Sequence, residues 1–199
     1  MEKNNFFSHE ELLQQEADLP ALQQAHRLLK TDPLAGTQRL EILARSGSVL
    51  SMMYLAEFYR TRSPIDLDKA KSWYQRAFDN RALNAIYNLG TLCFHRQELD
   101  EALQVFNSGI EQGDGPSLYW LAKLYISHPE LGGSPEEIKK LLEGAINKGQ
   151  VRAKNHLAFL YMQGVYGWSK VPAGICYYLS SLVEGFRLGL NNPKDRRLW

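Results

Sequence analysis

The segment Leu55-Ala56-Glu57-Phe58-Tyr59 returns as Leu89-Gly90-Thr91-Leu92-Cys93, Leu121-Ala122-Lys123-Leu124-Tyr125 and Leu157-Ala158-Phe159-Leu160-Tyr161, at spacings of 34, 32 and 36 residues. Self-similarity at this period constrains the fold more tightly than any composition could. Each unit is a helical hairpin that cannot bury its apolar face alone, so neighbours stack and share one continuous core. The expected fold class is all-α, an α-α superhelix: a solenoid of four to five hairpin repeats behind an N-terminal helical cap, with about ten or eleven helices and no strand.

The turn and cap residues set the register. Ser8 followed by Glu11 is a capping-box pair that opens a first helix, which Pro20 ends or interrupts before a second runs to about Lys30. Asp32-Pro33 reads as N-cap and first helical residue of a third helix, stopped by Gly47 after Leu40, Ile42, Leu43 and Ala44. The first helices of the full repeats are predicted to start near Ser51, Ala85, Ser117 and Ala153. The second helices place Ala70, Ala102, Ile138 and Gly174 at one matched position. Tyr74, Phe106, Leu142 and Tyr178 follow four residues later, and Ala77, Gly109, Ala145 and Ser181 three after that. Large and small residues at fixed offsets let hairpins interlock. Pro64, Pro116, Pro129, Pro135 and Pro172 fall between helices or in a first turn, as do Gly113, Gly132, Gly133, Gly149, Gly164 and Gly167. The organisation that follows is a cap over residues 1–33, repeats over 34–190 continuous with it, and a tail over 191–199.

Bulk properties exclude several classes. The 199 residues, 44% hydrophobic and 11% aromatic, suffice for a core without staples. Lys and Arg number 23 against 22 acidic residues, with no long run of either sign, which argues against a general nucleic-acid or acidic-membrane binder. An RNA-reading repeat would need a basic groove, which Glu57, Lys123 and their neutral counterparts do not provide. The opening residues Met1 to Phe7 lack the apolar core of a signal peptide, so with Met1 as native start the expected location is cytoplasmic. The window Val171 to Leu190 carries Glu184 and Arg187, so no membrane span is expected. Cys93 and Cys176 fall two repeats apart, roughly 20 Å at ~10 Å per helix layer, whereas a disulfide needs Cα atoms within ~7 Å. Both read as reduced and structural.

In the third unit, Leu89-Gly90, Cys93, Ala102, Phe106 and Gly109 stand where the tetratricopeptide pattern has Leu-Gly, Tyr, Ala, Phe and Ala. The second unit reads Asp66-x-x-Lys69-Ala70-x-x-Trp73-Tyr74-x-x-Ala77, and the fifth Leu157-Ala158-x-x-Tyr161-x-x-Gly164 with Gly167 following. From about Ala35 to Gly189 the chain resembles Sel1-like repeats, a tetratricopeptide-related family with variable loops. The resemblance implies an adaptor or scaffold for protein assembly, often bacterial, without catalysis or cofactor. The chain departs from the pattern where Cys93 replaces an aromatic residue, where Ile138 and Gly174 replace alanine, and in the first unit, which lacks the Leu-Ala motif. The secreted branch of the family carries a cysteine pair in each repeat; its absence here counts against a secreted role.

Nothing in the pattern points to chemistry. His9, His26, His95, His128 and His156 are scattered without ligand spacing, and His95 and Cys93, two apart on one helix, diverge. Gly164-x-x-Gly167 lacks the Lys-Ser/Thr and the preceding strand of a phosphate loop. Asp68, Glu101, Glu136 and Glu137 lie in first turns of second helices, where carboxylates complement the helix dipole. No catalytic, metal or cofactor residue is expected. Trp73 reads as packing; Trp120 fits either packing or an anchor.

In tetratricopeptide-like stacks the first helices line a concave groove, with side chains two residues before the Leu-Ala motif and two and five after it. The resemblance thus implies partner-binding positions at Met53, Glu57 and Arg60; Tyr87, Thr91 and Phe94; Tyr119, Lys123 and Ile126; and Asn155, Phe159 and Met162. Aromatic and Met residues with no need of burial suit a peptide groove. Its expected centre is Tyr87, Tyr119 and Phe159, facing solvent. Pro116 and Trp120 stand where the carboxylate-clamp version would have basic residues, so a free C-terminal carboxylate is not the expected ligand. The final helix is a second candidate surface. Ile175, Tyr178, Leu179, Leu182, Val183, Phe186 and Leu190 share one sector roughly 140° wide. A terminal repeat needs a polar outer face, so part of this stripe should be exposed as an association site. The leading expectation is a non-enzymatic adaptor holding a peptide or helix of another protein in its groove. The alternative is a self-assembling dimer centred on Ile175, Leu179, Val183, Phe186 and Leu190, unless the tail lays Leu198 and Trp199 over them.

Overall fold

The computed structural model describes residues 6–191, with side chains described as far as 187. Among the described residues there is no strand, and the chain forms eleven α-helices: α1 (His9–Gln15), α2 (Leu19–Thr31), α3 (Pro33–Arg45), α4 (Val49–Thr61), α5 (Leu67–Asp79), α6 (Leu83–His95), α7 (Leu99–Glu111), α8 (Gly115–Ser127), α9 (Pro135–Asn147), α10 (Val151–Met162) and α11 (Val171–Asn191). Short 3-10 turns at Pro129–Leu131 and Trp168–Lys170 fill the two long loops.

Side-chain caps explain where most of the helices begin. Ser8 and Glu11 make both halves of the capping box, at 2.7 and 3.2 Å. Asp18, Asp32, Ser48, Asp66, Asp114 and Ser134 each accept a hydrogen bond from the backbone N–H three residues on, satisfying a donor the helix leaves unpaired. α4, α6, α8 and α10 each start two residues before the apolar pattern does; Ser48 and Asp114 cap α4 and α8, whereas α6 and α10 open after Ala82 and Gln150 without a side-chain cap. Pro20 ends no helix. It sits in the first turn of α2, where its missing N–H costs nothing.

The described residues fall into two compact units that part between Val105 and Phe106, inside α7. In the first, α2 packs on α3, α3 on α4, α4 on α5 and α5 on α6. Leu22, Leu40, Leu50, Leu55, Ala77 and Ala85 belong to its buried core, which Trp73 joins from the edge. Ahead of α1, the chain crosses the α5–α6 turn. Phe7 N–H donates to the Arg81 carbonyl at 2.7 Å and Leu83 N–H donates to the Phe7 carbonyl at 2.9 Å. This single parallel bridge sets Phe6 5.4 Å from the Phe78 ring.

In the second unit α8 packs on α9, α9 on α10 and α10 on α11. Phe106, Leu124, Leu142, Leu157, Ala145 and Ala158 are fully buried. Trp120 stacks on Phe106 at 6.2 Å between centroids and is buried, so it is a core residue. Gly174 stands in place of alanine for a steric reason: a Cβ there would lie 2.8 Å from the Ala158 carbonyl oxygen and 2.9 Å from Tyr161 Cβ. The matched large positions Tyr74, Phe106 and Leu142 are buried, but Tyr178 in α11 is 37% exposed.

Candidate functional site

Each unit carries its own share of the expected groove residues. In the first, α4 supplies Met53, Glu57 and Arg60, and α6 supplies Tyr87, Thr91 and Phe94. Glu57 is already engaged. Its carboxylate accepts from Arg60 Nε at 2.9 Å and Nη2 at 2.7 Å, and from the Tyr74 hydroxyl at 2.8 Å. Burial and then Glu57 hold the Tyr74 phenol above its ordinary range, so it remains a donor. A cleft of about 250 Å³ opens beside this pair, with Met53, Glu57, Tyr74, Asn84 and Asn88 among its walls. Thr91 turns its hydroxyl back onto the Tyr87 carbonyl at 2.7 Å, and Tyr87 is half-buried. Phe94, at a groove position with no need of burial, is only 8% exposed.

In the second unit, α8 brings Tyr119, Lys123 and Ile126, and α10 brings Asn155, Phe159 and Met162. Tyr119 is not the exposed anchor the register implied. It is 3% exposed, stacked on His156 at 5.3 Å and edge-on to Trp120 at 5.7 Å. The turn of α10 carrying His156 covers it. Lys123 Nζ lies 4.3 Å from the Trp120 ring centroid, a cation–π contact. Asn155 accepts from the Ser181 hydroxyl, and Met162 lies against Gly174, so both help seat α11. Phe159 is the groove aromatic that remains open, 52% exposed and edge-on to Tyr178.

Two residues absent from the expected set belong to this face. Arg152 and His156 lie one turn apart on α10, as Tyr119 and Lys123 do on α8. Burial, then Lys123 and Arg152, hold the His156 imidazole below its ordinary range. Burial and Arg152 do the same to the Lys123 ammonium. His156 Nδ1 is buried with no hydrogen-bond partner among the described residues. The paired i, i+4 spacings were readable in the sequence; their convergence through the Tyr119–His156 stack was not.

α11 turns its small and polar side to α10 and its apolar side out. Gly174, Ser181 and Glu184 meet Ala158, Asn155 and Lys154, and Tyr177 meets Tyr161. Ile175, Leu179, Leu182, Val183 and Phe186 are consequently 48%, 56%, 50%, 71% and 72% exposed. The Leu190 side chain, Leu198 and Trp199 lie outside the described residues.

One donor cluster tests for metal chemistry. The Cys93 thiol and the carboxylates of Glu98 and Glu101 place ligand atoms within 4.8 Å of one another. Lys71 Nζ stands 2.8 Å from Glu98 and 2.6 Å from Glu101, supplying the cation from within the chain. Burial pushes the Cys93 thiol up to about 12, with Glu101 adding to it, which disfavours a ligating thiolate. Arg96 extends the set to Glu98 at 2.9 Å and Asp68 at 2.7 Å. Asp68 and Glu101 therefore pair across helices as well as standing in first turns. Cys176, read from sequence as structural, is exposed; both thiols are free.

No family model matches the chain. A sel1-like repeat-containing protein of Acanthamoeba polyphaga mimivirus is 28% identical over 127 residues, 62% of this chain but 23% of that protein, so the chain spans about a quarter of this relative. The crystal structure of a Sel1 repeat protein from Oxalobacter formigenes is similar with a TM-score of 0.70 at 17% identity, covering 85% of this chain and 74% of that one. That of a protective antigen present in uropathogenic Escherichia coli strains, displaying an SLR fold, gives 0.65 at 16% identity, covering 88% and 43%. Motif register, helix order and these likenesses agree: the chain has the Sel1-like, tetratricopeptide-related helical-repeat fold.

Proposed function

We propose that this chain is a non-enzymatic protein-interaction scaffold, acting in the cytoplasm, and that it self-associates through the outward face of α11. The observation that carries this is the row of Ile175, Leu179, Leu182, Val183 and Phe186, between 48% and 72% exposed on one helix. Hairpin stacks bury such a row under the next helix. At roughly 100 Å² of open surface per side chain, two copies would bury ~1,000 Å² together, the size at which a specific interface becomes stable. A second copy suits the face because a two-fold interface requires a self-complementary patch, and this one is uniformly apolar. Light scattering at tens of micromolar (well above a ~μM dissociation constant) should give a dimer that Phe186→Glu converts to a folded monomer. A wild-type monomer destabilised by deletion of Leu198 and Trp199 would overturn the proposal and make the tail the cover.

A second reading concerns α8 and α10 and is favoured by Phe159, an open aromatic one turn beyond the half-buried Asn155 on α10. There the scaffold would hold a peptide or helix of another protein. No span competes with either reading: no helix among the described residues is long and apolar enough to cross a membrane.

A further inference from the structure

We propose that α1 is a displaceable strap, seated on the face of the first unit that carries Met53 and Glu57. In its place this face takes an amphipathic helix of another protein, with a larger apolar residue where α1 has His9. The site stands apart from α11 and from the α8–α10 face. Seven residues make barely two turns, too few to hold a helix in water, so α1 is helical because of what it lies on. Leu12 is its buried side chain, in the core with Leu50, Ala82 and Ala85, and α1 packs on α4. Glu10, Glu11, Gln14 and Gln15 are open to solvent.

Both ends of the strap are held from outside the helix. Before it, Phe7 makes the two backbone hydrogen bonds of the parallel bridge to the α5–α6 turn, at 2.7 and 2.9 Å. After it, the Glu16 carboxylate accepts from the hydroxyl of Ser48, the N-cap of α4, at 2.7 Å. An extended residue paired to free backbone, followed by an amphipathic turn laid on a groove, combines two ways in which folded domains take up foreign peptides. Here the chain does this to itself, and it leaves the seat partly empty. Between α1 and helices α4 to α6 lies the cleft of about 250 Å³, with His9 and Leu12 of α1 and Leu50, Met53, Tyr54 and Asn88 among its walls. His9 is exposed and puts no apolar group into it. A helix with Leu or Phe at that place would bury apolar surface in the cleft as well as in the Leu12 seat, and so would outcompete α1. A second copy brings the same helix and leaves the same cleft, so the better occupant is foreign.

The test titrates the full chain into fluorescent peptides with blocked termini and reads anisotropy: a copy of residues 6–17, the same with His9→Leu, and the same with Leu12→Ala. The His9→Leu peptide should bind about tenfold tighter than the copy, and the Leu12→Ala peptide about tenfold more weakly. Weakening the strap within the chain has the opposite sign. Leu12→Ala in the full chain should tighten binding of the His9→Leu peptide about tenfold, because the strap then covers the face for less of the time. Glu16→Ala, which leaves the Ser48 cap of α4 in place, should tighten it by a smaller factor. Excess His9→Leu peptide should also speed hydrogen exchange at the α1 amides while α4 and α6 stay protected. Circular dichroism first checks that both variants keep the helix content of the parent chain, and Glu16→Ala carries the comparison if Leu12→Ala does not. A peptide that binds without speeding exchange in α1, or that binds the variants no better than the parent chain, makes α1 a fixed part of the fold and overturns the proposal. Equal binding of the copy and the His9→Leu peptide would give the seat to α1 of a second copy and defeat the foreign occupant. Binding of neither peptide, to the parent chain or to the variants, overturns the proposal outright.

Discussion

Replacing Tyr119 by alanine asks whether the α8–α10 contact is core or surface. The ring is 3% exposed, stacked on His156 and edge-on to Trp120. Its removal loses the transfer free energy of a buried aromatic and leaves a cavity that Trp120, wedged against Phe106, cannot fill. Aromatic-to-alanine changes at such sites cost about 3–5 kcal/mol. Phe159→Ala is the internal control. That ring is 52% exposed and gives up about half its burial, so ~1 kcal/mol is expected. In a chain of this length each kcal/mol lowers the melting temperature by ~2–4 °C, so Tyr119→Ala should fall by about 10 °C and Phe159→Ala by only a few. Urea unfolding followed by far-ultraviolet circular dichroism measures both, with an unchanged slope confirming that stability, and not cooperativity, has moved. If Tyr119→Ala lies within ~0.5 kcal/mol of the parent chain, its side chain faces solvent and the packing argument fails.

Two further outcomes follow from the second unit. Gly174→Ala should destabilise by about 1–3 kcal/mol, since its Cβ would press on the Ala158 carbonyl and the fault lies in backbone approach; tolerance of alanine, measured by the same unfolding curves, would mean α11 can lift off α10 freely. For His156, burial, Lys123 and Arg152 depress the folded-state pKa. The unfolded chain thus holds more protons than the folded one below the ordinary imidazole value of about 6.5. Its contribution to stability is complete above that pH and is lost as pH falls toward the depressed value. Comparing unfolding midpoints at neutral and mildly acidic pH should therefore show a smaller acid loss in His156→Gln, though not none, because His26 is depressed in the same direction by burial and Lys30. An identical loss in parent and variant would remove His156 from the account.

The register was legible because it is local. Caps such as Asp66 and Ser134, prolines at first turns and the large-small pairs Tyr74/Ala77 and Leu142/Ala145 each lie within one hairpin, so periodicity alone placed them. The candidate site was less legible because it depends on what a neighbouring helix presents. Tyr119, two residues before its Leu-Ala motif, and Phe159, two residues after the start of its own, are both groove positions of the pattern, yet the first lies under His156 and the second is open; the register of the motif alone does not record which neighbour covers which side chain. The same holds for α11. Its apolar stripe was visible, but only contact with α10 shows that Gly174, Ser181 and Glu184 are the inward side. The ion pairs of Lys71 with Glu98 and Glu101 join helices about thirty residues apart and escape any local pattern.

The bridge between Phe7 and Ala82 bears on the order in which the first unit assembles. A repeat array grows by short-range contacts, one hairpin templating the next, and can in principle peel from an end in the same increments. Phe7 and Ala82 are separated by 75 positions in the chain, and joining them while α1 to α5 are still loose would cost roughly 4 kcal/mol of closure entropy. Once those helices are docked, the ends are already near each other and the closure is nearly free. The bridge is thus a late event, absent from the barrier to assembly but present in the barrier to disassembly. Contacts of that kind slow unraveling without slowing growth, so two backbone hydrogen bonds and the Phe6–Phe78 contact would act as a kinetic latch against fraying from α1 inward.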